Sequence, residues 1–108
     1  MKVKFKSFRF GALCINQKEL VRKYGRAVAV KVEARLFQLG SVATLDEMRY
    51  LPGRCHELTG DRRGELAVRL HGGYRLIFRP GNLPAGGSTG LDWSSVTEVI
   101  VTEIEDYH

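Results

Sequence analysis

The sequence has few cysteines and no long apolar run. Its two cysteines, Cys14 and Cys55, lie far apart and outside any CxxC pattern, which excludes a disulfide scaffold and a zinc ribbon. No segment approaches the roughly 20 consecutive apolar residues that cross a bilayer. Residues 1–10 alternate lysine with valine and phenylalanine instead of forming the continuous apolar segment of a signal peptide. We therefore expect a cytoplasmic protein without a membrane partner.

Basic residues are absent from the last quarter of the chain. Residues 1–79 hold all 17 Lys and Arg and 7 of the 12 acidic residues, a net charge of +10, whereas residues 80–108 hold five acidic residues and no basic one. The positive charge of the larger part favours a polyanionic partner such as nucleic acid. A basic domain that binds no polyanion is the alternative, because charge alone identifies no ligand.

Length and composition predict one globular domain over residues 1–108. Hydrophobic residues make up 44% and charged residues 27% of the chain, a balance typical of folded domains. Two domains of half this length would each be too small to bury a sufficient core.

The beginning of the sequence predicts a strand and then a helix. Residues 2–10 contain alternating apolar and basic side chains, the pattern of a strand with one polar face. Asn16 and Glu19 have the spacing of a capping box ahead of a helix predicted over residues 17–24. Gly25 follows at the position where a helix commonly ends.

The next segment fits two periodicities. Valines alternate within residues 26–39 as in a strand, yet apolar residues also recur there at helical spacing, and the length of the segment favours a helix. Thr44 and Glu47 have the spacing of a second capping box, which predicts one or two further helical turns.

The second half predicts β structure around a tight turn. Residues 65–71 and 74–79 flank Gly72-Gly73, a pair typical of a two-residue hairpin turn with positive φ at both positions. Such a turn places Leu70 opposite Arg75. The hairpin is the strongest local pattern in the sequence.

A loop and a last strand complete the predicted fold. Residues 80–92 are rich in Gly, Pro and Ser, and we expect a mobile loop over about residues 80–95. Residues 96–104 are rich in β-branched side chains and predict a closing strand. An N-terminal strand, two to three helices and then several strands indicate an α+β fold with a mainly antiparallel sheet.

No common phosphate-binding, metalloprotease or serine-hydrolase motif is present. The three histidines do not have the spacing of metal ligands, so we expect neither a metal site nor a cofactor. His56 lies in a turn-rich stretch, Arg75 lies within a predicted strand, and the chain closes on Asp106, Tyr107 and His108. A chain that stops on an acid, a phenol and an imidazole directly after a strand suggests a function for these side chains.

Three segments resemble HigB-type toxins, the plasmid-maintenance killer proteins of the RelE/ParE superfamily. They are LPGRCHELTGDRRG at residues 51–64, RLHGGYRLIF at residues 69–78 and VTEIEDYH at residues 101–108. The resemblance extends from about Arg35 to the C-terminus and more weakly to the first strand. Each motif is short, and their joint occurrence in the right order makes the match specific.

The resemblance implies a microbial-RNase-like fold, with helices packed on one side of a curved antiparallel sheet. It also implies the toxin of a type II toxin–antitoxin system, an endoribonuclease that cleaves mRNA in the ribosomal A site. The implied partners are mRNA, the ribosome and a HigA-like helix-turn-helix antitoxin. The toxin alone is then expected to be a monomer that forms oligomers through its antitoxin.

The resemblance implies a catalytic set of His56, Arg75, Asp106, Tyr107 and His108. The two histidines would act as acid and base in an order that the sequence leaves open. Arg75 would stabilise the transition state, Asp106 would orient a histidine or take part in proton transfer, and Tyr107 would stack or hydrogen-bond near the substrate.

Many relatives have a lysine where this chain has Thr59. A phosphate-holding role of that lysine would pass to nearby arginines, or would be weakened. The arginines expected to bind RNA are Arg54, Arg62, Arg63 and Arg79.

The residue types suit RNA cleavage because RNA supplies its own nucleophile, the 2′-hydroxyl. Histidine titrates near neutral pH and can exchange the protons, and arginine can bind the phosphate oxygens in a planar fork. Arg75 could instead be a structural cation paired with Glu98 or Glu103. Two other functions stay open: a ParE-like DNA gyrase inhibitor without hydrolytic activity, and a catalytically weak relative that only binds antitoxin.

Overall fold

The computed structural model of the protein describes residues 1–82 and 90–107. Among these residues one sheet has the strand order β1-β5-β4-β3-β2. The edge strand β1 runs parallel to β5, and the other neighbours are antiparallel. The predicted α+β class with a mainly antiparallel sheet is therefore confirmed. The strands are β1 (Lys2–Phe5), β2 (His56–Glu57), β3 (Leu66–Arg69), β4 (Tyr74–Pro80) and β5 (Glu98–Asp106).

The helices precede most of the sheet in the sequence. They are α1 (Phe8–Cys14), α2 (Gln17–Tyr24) and α3 (Arg26–Ser41), followed by a 3₁₀ turn at Leu45–Tyr50. The predicted bounds of α2 are confirmed, and its N-terminus is capped by Asn16 Oδ1, which accepts a hydrogen bond from the Glu19 N–H at 3.1 Å. The second capping box is present at the 3₁₀ turn. None of the helices in the described part of the chain is long and apolar enough to cross a membrane.

The prediction of a first strand over residues 2–10 is wrong beyond Phe5. The Ser7 hydroxyl accepts a hydrogen bond from the Phe10 N–H at 3.1 Å and thereby caps α1. Phe8 is 94% exposed, whereas Phe10 packs edge-on against Phe5. The aromatic residues after Ser7 thus follow helical spacing, and the serine cap overrides the strand-like pattern.

The prediction for the β3–β4 hairpin is wrong in its register by one residue. The Leu70 N–H donates to the Tyr74 carbonyl at 3.0 Å, and Arg75 lies opposite Arg69 instead of Leu70. Of the two turn glycines only Gly72 has a positive φ, +62°. The turn is therefore one residue longer than the two-residue type, with a single left-handed position. This shift places Arg69 and Arg75 side by side on one face of the sheet.

The two faces of the sheet differ in what covers them. Alternate residues of β3, β4 and β5 pack with α2, α3 and the Leu45–Tyr50 turn in one hydrophobic core. The residues between them point to the other side because successive side chains of a strand alternate. We call this second side the open face; its polar members include His56, Arg69, Arg75, Glu103 and Glu105.

Hydrogen bonds hold the segment between β4 and β5 at both of its described ends. Asn82 Nδ2 donates to the Ser95 carbonyl at 3.1 Å, and its Oδ1 accepts from the Thr97 N–H at 3.1 Å. The buried Trp93 donates from Nε1 to Glu57 at 2.9 Å. The predicted mobile loop over residues 80–95 includes residues 83–89, which lie outside the described residues.

Candidate active site

The last described residue of the chain is hydrogen-bonded to the β3–β4 hairpin. The last described residue, Tyr107, donates its backbone N–H to the Gly73 carbonyl at 2.7 Å. Asp106 still belongs to β5 and lies opposite Tyr74. The strand was predicted to end at residue 104, but it continues for two more residues and so reaches the turn. Tyr107 is thus held next to β4, the strand that contains Arg75.

Arg75 is restrained along one edge and on one face of its guanidinium. Its Nε donates a hydrogen bond to Glu105 Oε1, on the opposite residue of β5. Its Cζ lies 3.7 Å from the centre of the Tyr107 ring, within the range of a cation–π contact. Only 14% of the Arg75 side chain is exposed. The ion pair considered from the sequence does form, but with Glu105 instead of Glu98 or Glu103.

Glu105 also contacts a second arginine. Its Oε2 accepts from Arg62 Nη1 at 3.0 Å, and Arg62 Nη2 donates to Glu103 at 2.7 Å. Arg62 Nε lies 2.9 Å from Glu65 Oε2. The hydrogen bond and charge of Glu103, with a further contribution from Glu65, raise the pKa of Arg62. The guanidinium of Arg62, expected to bind RNA, is thus engaged by three carboxylates of the protein.

His56 faces the same end of the sheet from β2. It lies opposite Ala67, two residues before Arg69 along β3 and on the same face. Its Nδ1 is 2.7 Å from the Arg54 carbonyl oxygen. A carbonyl only accepts, so Nδ1 carries the proton, and in the neutral ring Nε2 is left as an acceptor. Arg54 adopts a φ of +51°, which is rare for a residue with a side chain and belongs to the turn that presents this carbonyl.

These groups surround a cleft of about 450 Å³ on the protein surface. Three of the five predicted catalytic residues line it. The cleft thus joins an exposed imidazole, a half-buried guanidinium and a phenol ring within one site. Its lining residues are His56, Arg69, Gly72, Gly73, Tyr74, Arg75 and Tyr107.

Comparison with known proteins identifies a structural relative. No protein-family model and no curated protein sequence matches the chain. A solved structure of the YoeB/ParE toxin from Agrobacterium tumefaciens matches with a TM-score of 0.60, covering 100% of both chains at 13% sequence identity. The chain has a YoeB/ParE toxin fold. This confirms the fold expected from the resemblance, whereas the HigB type stays a prediction.

Of the other two predicted catalytic residues, the structure describes only Asp106. Asp106 is exposed at the end of β5, next to Tyr107, and does not line the cleft. His108 lies outside the described residues.

The other predicted RNA-binding arginines are exposed around the toxin fold. Arg54 lies next to the cleft through its contact with His56, and Arg79 lies on β4, opposite Ile100. Arg63 lines a separate hollow of about 370 Å³ together with Thr59. Thr59, the position where the resemblance leads one to expect a lysine, thus lines a different hollow from the Arg75 cleft.

Sequence reasoning missed Arg69 as a site residue. Its side chain is exposed, it lies opposite Arg75, and it lines the cleft. Its backbone is fixed from both sides, because its N–H donates to the Gly53 carbonyl and its carbonyl accepts from Arg35 Nε, each at 2.7 Å. The predicted two-residue turn explains the omission. In its register Leu70 lies opposite Arg75, and the Arg69 side chain points to the other face of the sheet.

The described residues contain no cluster of three or more His, Cys, Asp or Glu that could hold a metal ion. The thiol of Cys55, next to His56 in the chain, is not a candidate nucleophile, because burial raises its pKa to about 12. The side chains with functional groups in the cleft are therefore one imidazole, two guanidinium groups and two phenols.

Proposed function

We propose that this protein is the toxin of a type II toxin–antitoxin system, a HigB-type endoribonuclease that cleaves mRNA on the ribosome. The observation that carries the proposal is the cleft in which His56, Arg75 and Tyr107 meet. The toxin fold and the basic body of the chain support it.

The proposed reaction is an internal transfer within RNA. A base takes the proton of the 2′-hydroxyl, the 2′-oxygen bonds to the adjacent phosphorus, and the bond from phosphorus to the 5′-oxygen breaks. An acid protonates the departing 5′-oxygen. The products are a 2′,3′-cyclic phosphate and a 5′-hydroxyl, and the step uses neither metal nor cofactor.

His56 and His108 are the proposed acid–base pair. The Arg54 carbonyl holds the proton of His56 on Nδ1 and leaves Nε2 able to accept one, which is the state of a general base. His108 would then act as the acid, with Asp106 beside it to orient the ring or to take part in proton transfer. The hydrogen bond from Tyr107 to Gly73 supports this pairing, because it holds the residue that precedes His108 in the sequence at the hairpin that contains Arg75.

Arg75 is proposed to stabilise the charge that develops on the phosphate. A guanidinium that is already fixed in a half-buried site needs little reorganisation when that charge develops, so the cost in free energy is small. Tyr107, stacked on Arg75 and largely exposed on its other side, is proposed to stack on a base or hydrogen-bond to the substrate.

RNA binding is assigned to the exposed arginines around the cleft. Arg69 lies beside Arg75 and would contact the phosphate next to the scissile one. Arg54, Arg63 and Arg79 would contact the flanking backbone or ribosomal RNA, which predicts salt-sensitive binding. Arg62 donates its terminal N–H groups to Glu65, Glu103 and Glu105, so its expected part in RNA binding is proposed to be indirect, through the placement of Glu105 beside Arg75.

The proposed partners follow from the toxin role. They are mRNA in the ribosomal A site and a HigA-like helix-turn-helix antitoxin, with cytoplasmic location and a monomeric free toxin. A neighbouring reading frame for a helix-turn-helix protein would support the assignment.

The test is induction of the isolated chain in cells, with sequencing of transcript 5′ ends. We expect growth arrest and new 5′-hydroxyl ends inside translated frames, lost in Arg75→Ala, His56→Ala and His108→Ala. The matched control is His71→Ala, because His71 is an exposed histidine of the hairpin turn that does not line the cleft.

A gyrase inhibitor is the second candidate, because the structural relative is named a YoeB/ParE toxin. DNA damage with intact transcripts would establish that reading and refute ours. Arrest of growth with neither cleaved transcripts nor DNA damage would contradict both.

A further inference from the structure

We propose that Glu105 is a positioning residue that orients the Arg75 guanidinium for the reaction, and that Arg62 holds this carboxylate in place. The inference rests on the function proposed above. It assigns roles to two residues that do not line the cleft.

Glu105 fixes which atoms of Arg75 a ligand can reach. A guanidinium has one N–H on Nε and its remaining N–H groups on Nη1 and Nη2. The Nε of Arg75 donates to Glu105, and within residues 1–82 and 90–107 this is its only hydrogen bond from the guanidinium. The paired terminal nitrogens are then left for phosphate oxygens, in the planar fork that such oxygens match.

Tyr107 supplies the second restraint. Its ring lies against the face of the guanidinium, whereas Glu105 holds one edge. A contact on the face limits tilt, and a contact on the edge limits rotation within the plane. Tyr107 is itself fixed through its backbone N–H on the Gly73 carbonyl. Both restraints come from the last strand and the residue that follows it.

Glu105 is itself held by a second guanidinium. Glu105 and Arg75 are 17% and 14% exposed, so water screens the ion pair between them poorly. Arg62 lies on the other oxygen of Glu105 at 3.0 Å, which lets one carboxylate bridge two guanidinium groups. The contacts of Arg62 with Glu103 and Glu65 hold it in that position.

The same strand offers a matched control. Glu98 lies on β5, its side chain is also 17% exposed, and it forms an ion pair with Lys4 at 3.5 Å. This pair is on the β1 side of the sheet, away from the cleft. Replacing Glu98 removes a carboxylate of the same exposure without touching Arg75.

The experiment measures orientation and activity separately in the full-length protein. Orientation is followed by the ¹⁵N heteronuclear NOE of the Arg75 Nε–H, with exposed Arg79 of the same strand as internal reference. Activity is single-turnover cleavage of mRNA on programmed ribosomes. The variants are Glu105→Ala, Glu105→Gln, Glu98→Gln and Arg75→Ala, and the double variant Arg75→Ala/Glu105→Gln.

We expect Glu105→Ala to lower the Arg75 NOE toward the value of Arg79, with the Tyr107 contact as the remaining restraint. It should also reduce the maximal cleavage rate by about 10- to 100-fold, the usual cost of a misplaced group, with KM little changed. Glu105→Gln keeps an acceptor and should retain the NOE with a smaller loss of rate. Glu98→Gln should match the wild type, and Glu105→Gln should cost nothing further once Arg75 is absent.

An Arg75 NOE unchanged in Glu105→Ala would overturn the inference, and so would a lost NOE with an unchanged rate. An additive loss in the double variant would show that Glu105 acts elsewhere and would also overturn it. If Glu105→Ala does not fold, Glu105→Gln and the double variant carry the decision. Absence of cleavage by the wild type refutes the proposed function and this inference with it, whereas the NOE still reports whether Glu105 orders Arg75.

Discussion

Arg75 and Arg62 lie on either side of Glu105, yet their surroundings differ. Arg62 is surrounded by Glu65, Glu103 and Glu105 and donates hydrogen bonds to them from its two terminal nitrogens. Arg75 has one carboxylate on Nε and an aromatic ring on its face, and it lines a cleft. Two arginines that look alike in the sequence thus have different capacity left for a ligand.

The comparison separates a structural cation from one able to bind substrate. A guanidinium whose N–H groups are paired with carboxylates stabilises the fold and has little to offer a phosphate. A guanidinium held by its edge and face keeps its terminal nitrogens available and ordered, which is the arrangement that electrostatic catalysis needs. Removal of Arg75 should therefore affect activity most, and removal of Arg62 should affect stability most.

The largest expected effect is that of Arg75→Ala on cleavage. We expect the single-turnover rate on programmed ribosomes to fall by about 10² to 10³, the typical loss when a preorganised transition-state contact is removed. The thermal transition should change little, because Glu105 keeps its contact with Arg62. Arg9→Ala, which removes an exposed arginine of α1, should retain the wild-type rate. A wild-type rate in Arg75→Ala would abolish the distinction drawn between the two arginines.

Arg62→Met tests the other side of the comparison. Removal of a half-buried cation leaves the three glutamates without it, and we expect the free energy of unfolding to fall by about 1–3 kcal/mol in urea titrations. Arg22→Met is the control, because the Arg22–Glu19 pair lies on the exposed surface of α2, and it should leave the transition unchanged. Equal stability of Arg62→Met and wild type would show that the Arg62 cluster contributes nothing to the fold.

Tyr107→Ala should have a moderate effect that Tyr107→Phe does not share. Stacking of a base on an aromatic ring contributes about 1–3 kcal/mol, so removal of the Tyr107 ring should weaken RNA binding by about fivefold or more, measured by fluorescence anisotropy at low salt. Phenylalanine keeps the ring over Arg75 and should bind as the wild type does. If the two variants bind equally weakly, the hydroxyl and not the ring is what the site uses.

The smallest effect concerns the thiols. Burial raises the pKa of Cys14 and of Cys55 from 9.0 to about 12, and we expect slow alkylation of both in the native protein at pH 8 compared with the urea-unfolded chain. The raised pKa contributes stability that is complete below pH 9 and is lost as the pH rises toward 12, because the unfolded thiols ionise first. Rapid native alkylation of Cys55 alone would show that the segment before His56 opens.

The sequence predicted the fold where local patterns agree with tertiary packing. The Asn16 cap and Gly25 bounded α2 correctly, and length decided that α3 is a helix. It failed where one local hydrogen bond changes the outcome, as at Ser7, where a hydroxyl begins α1 and ends the strand-like alternation. The hairpin was recognised, but its turn was one residue too short. A single residue of register decides which side chains share a face.

The candidate site was predicted in part for the same reason. His56, Arg75 and Tyr107 were expected together because of a family resemblance, and the cleft brings them together. Arg69 could have been found only with the correct register. The carboxylates around Arg62 join the Gly60–Arg62 turn to β5, a pairing between distant parts of the chain that no local pattern in one sequence reveals.

The most direct test of the account is cleavage of an mRNA with a single 2′-deoxynucleotide on the 5′ side of the mapped scissile phosphate. The central claim is that the Arg75 cleft promotes attack by the RNA's own 2′-oxygen, so this substitution should abolish cleavage at that position on programmed ribosomes. The all-ribose mRNA should give a 2′,3′-cyclic phosphate in the same assay. Cleavage of the deoxy-substituted message at the unchanged position and rate would contradict the account.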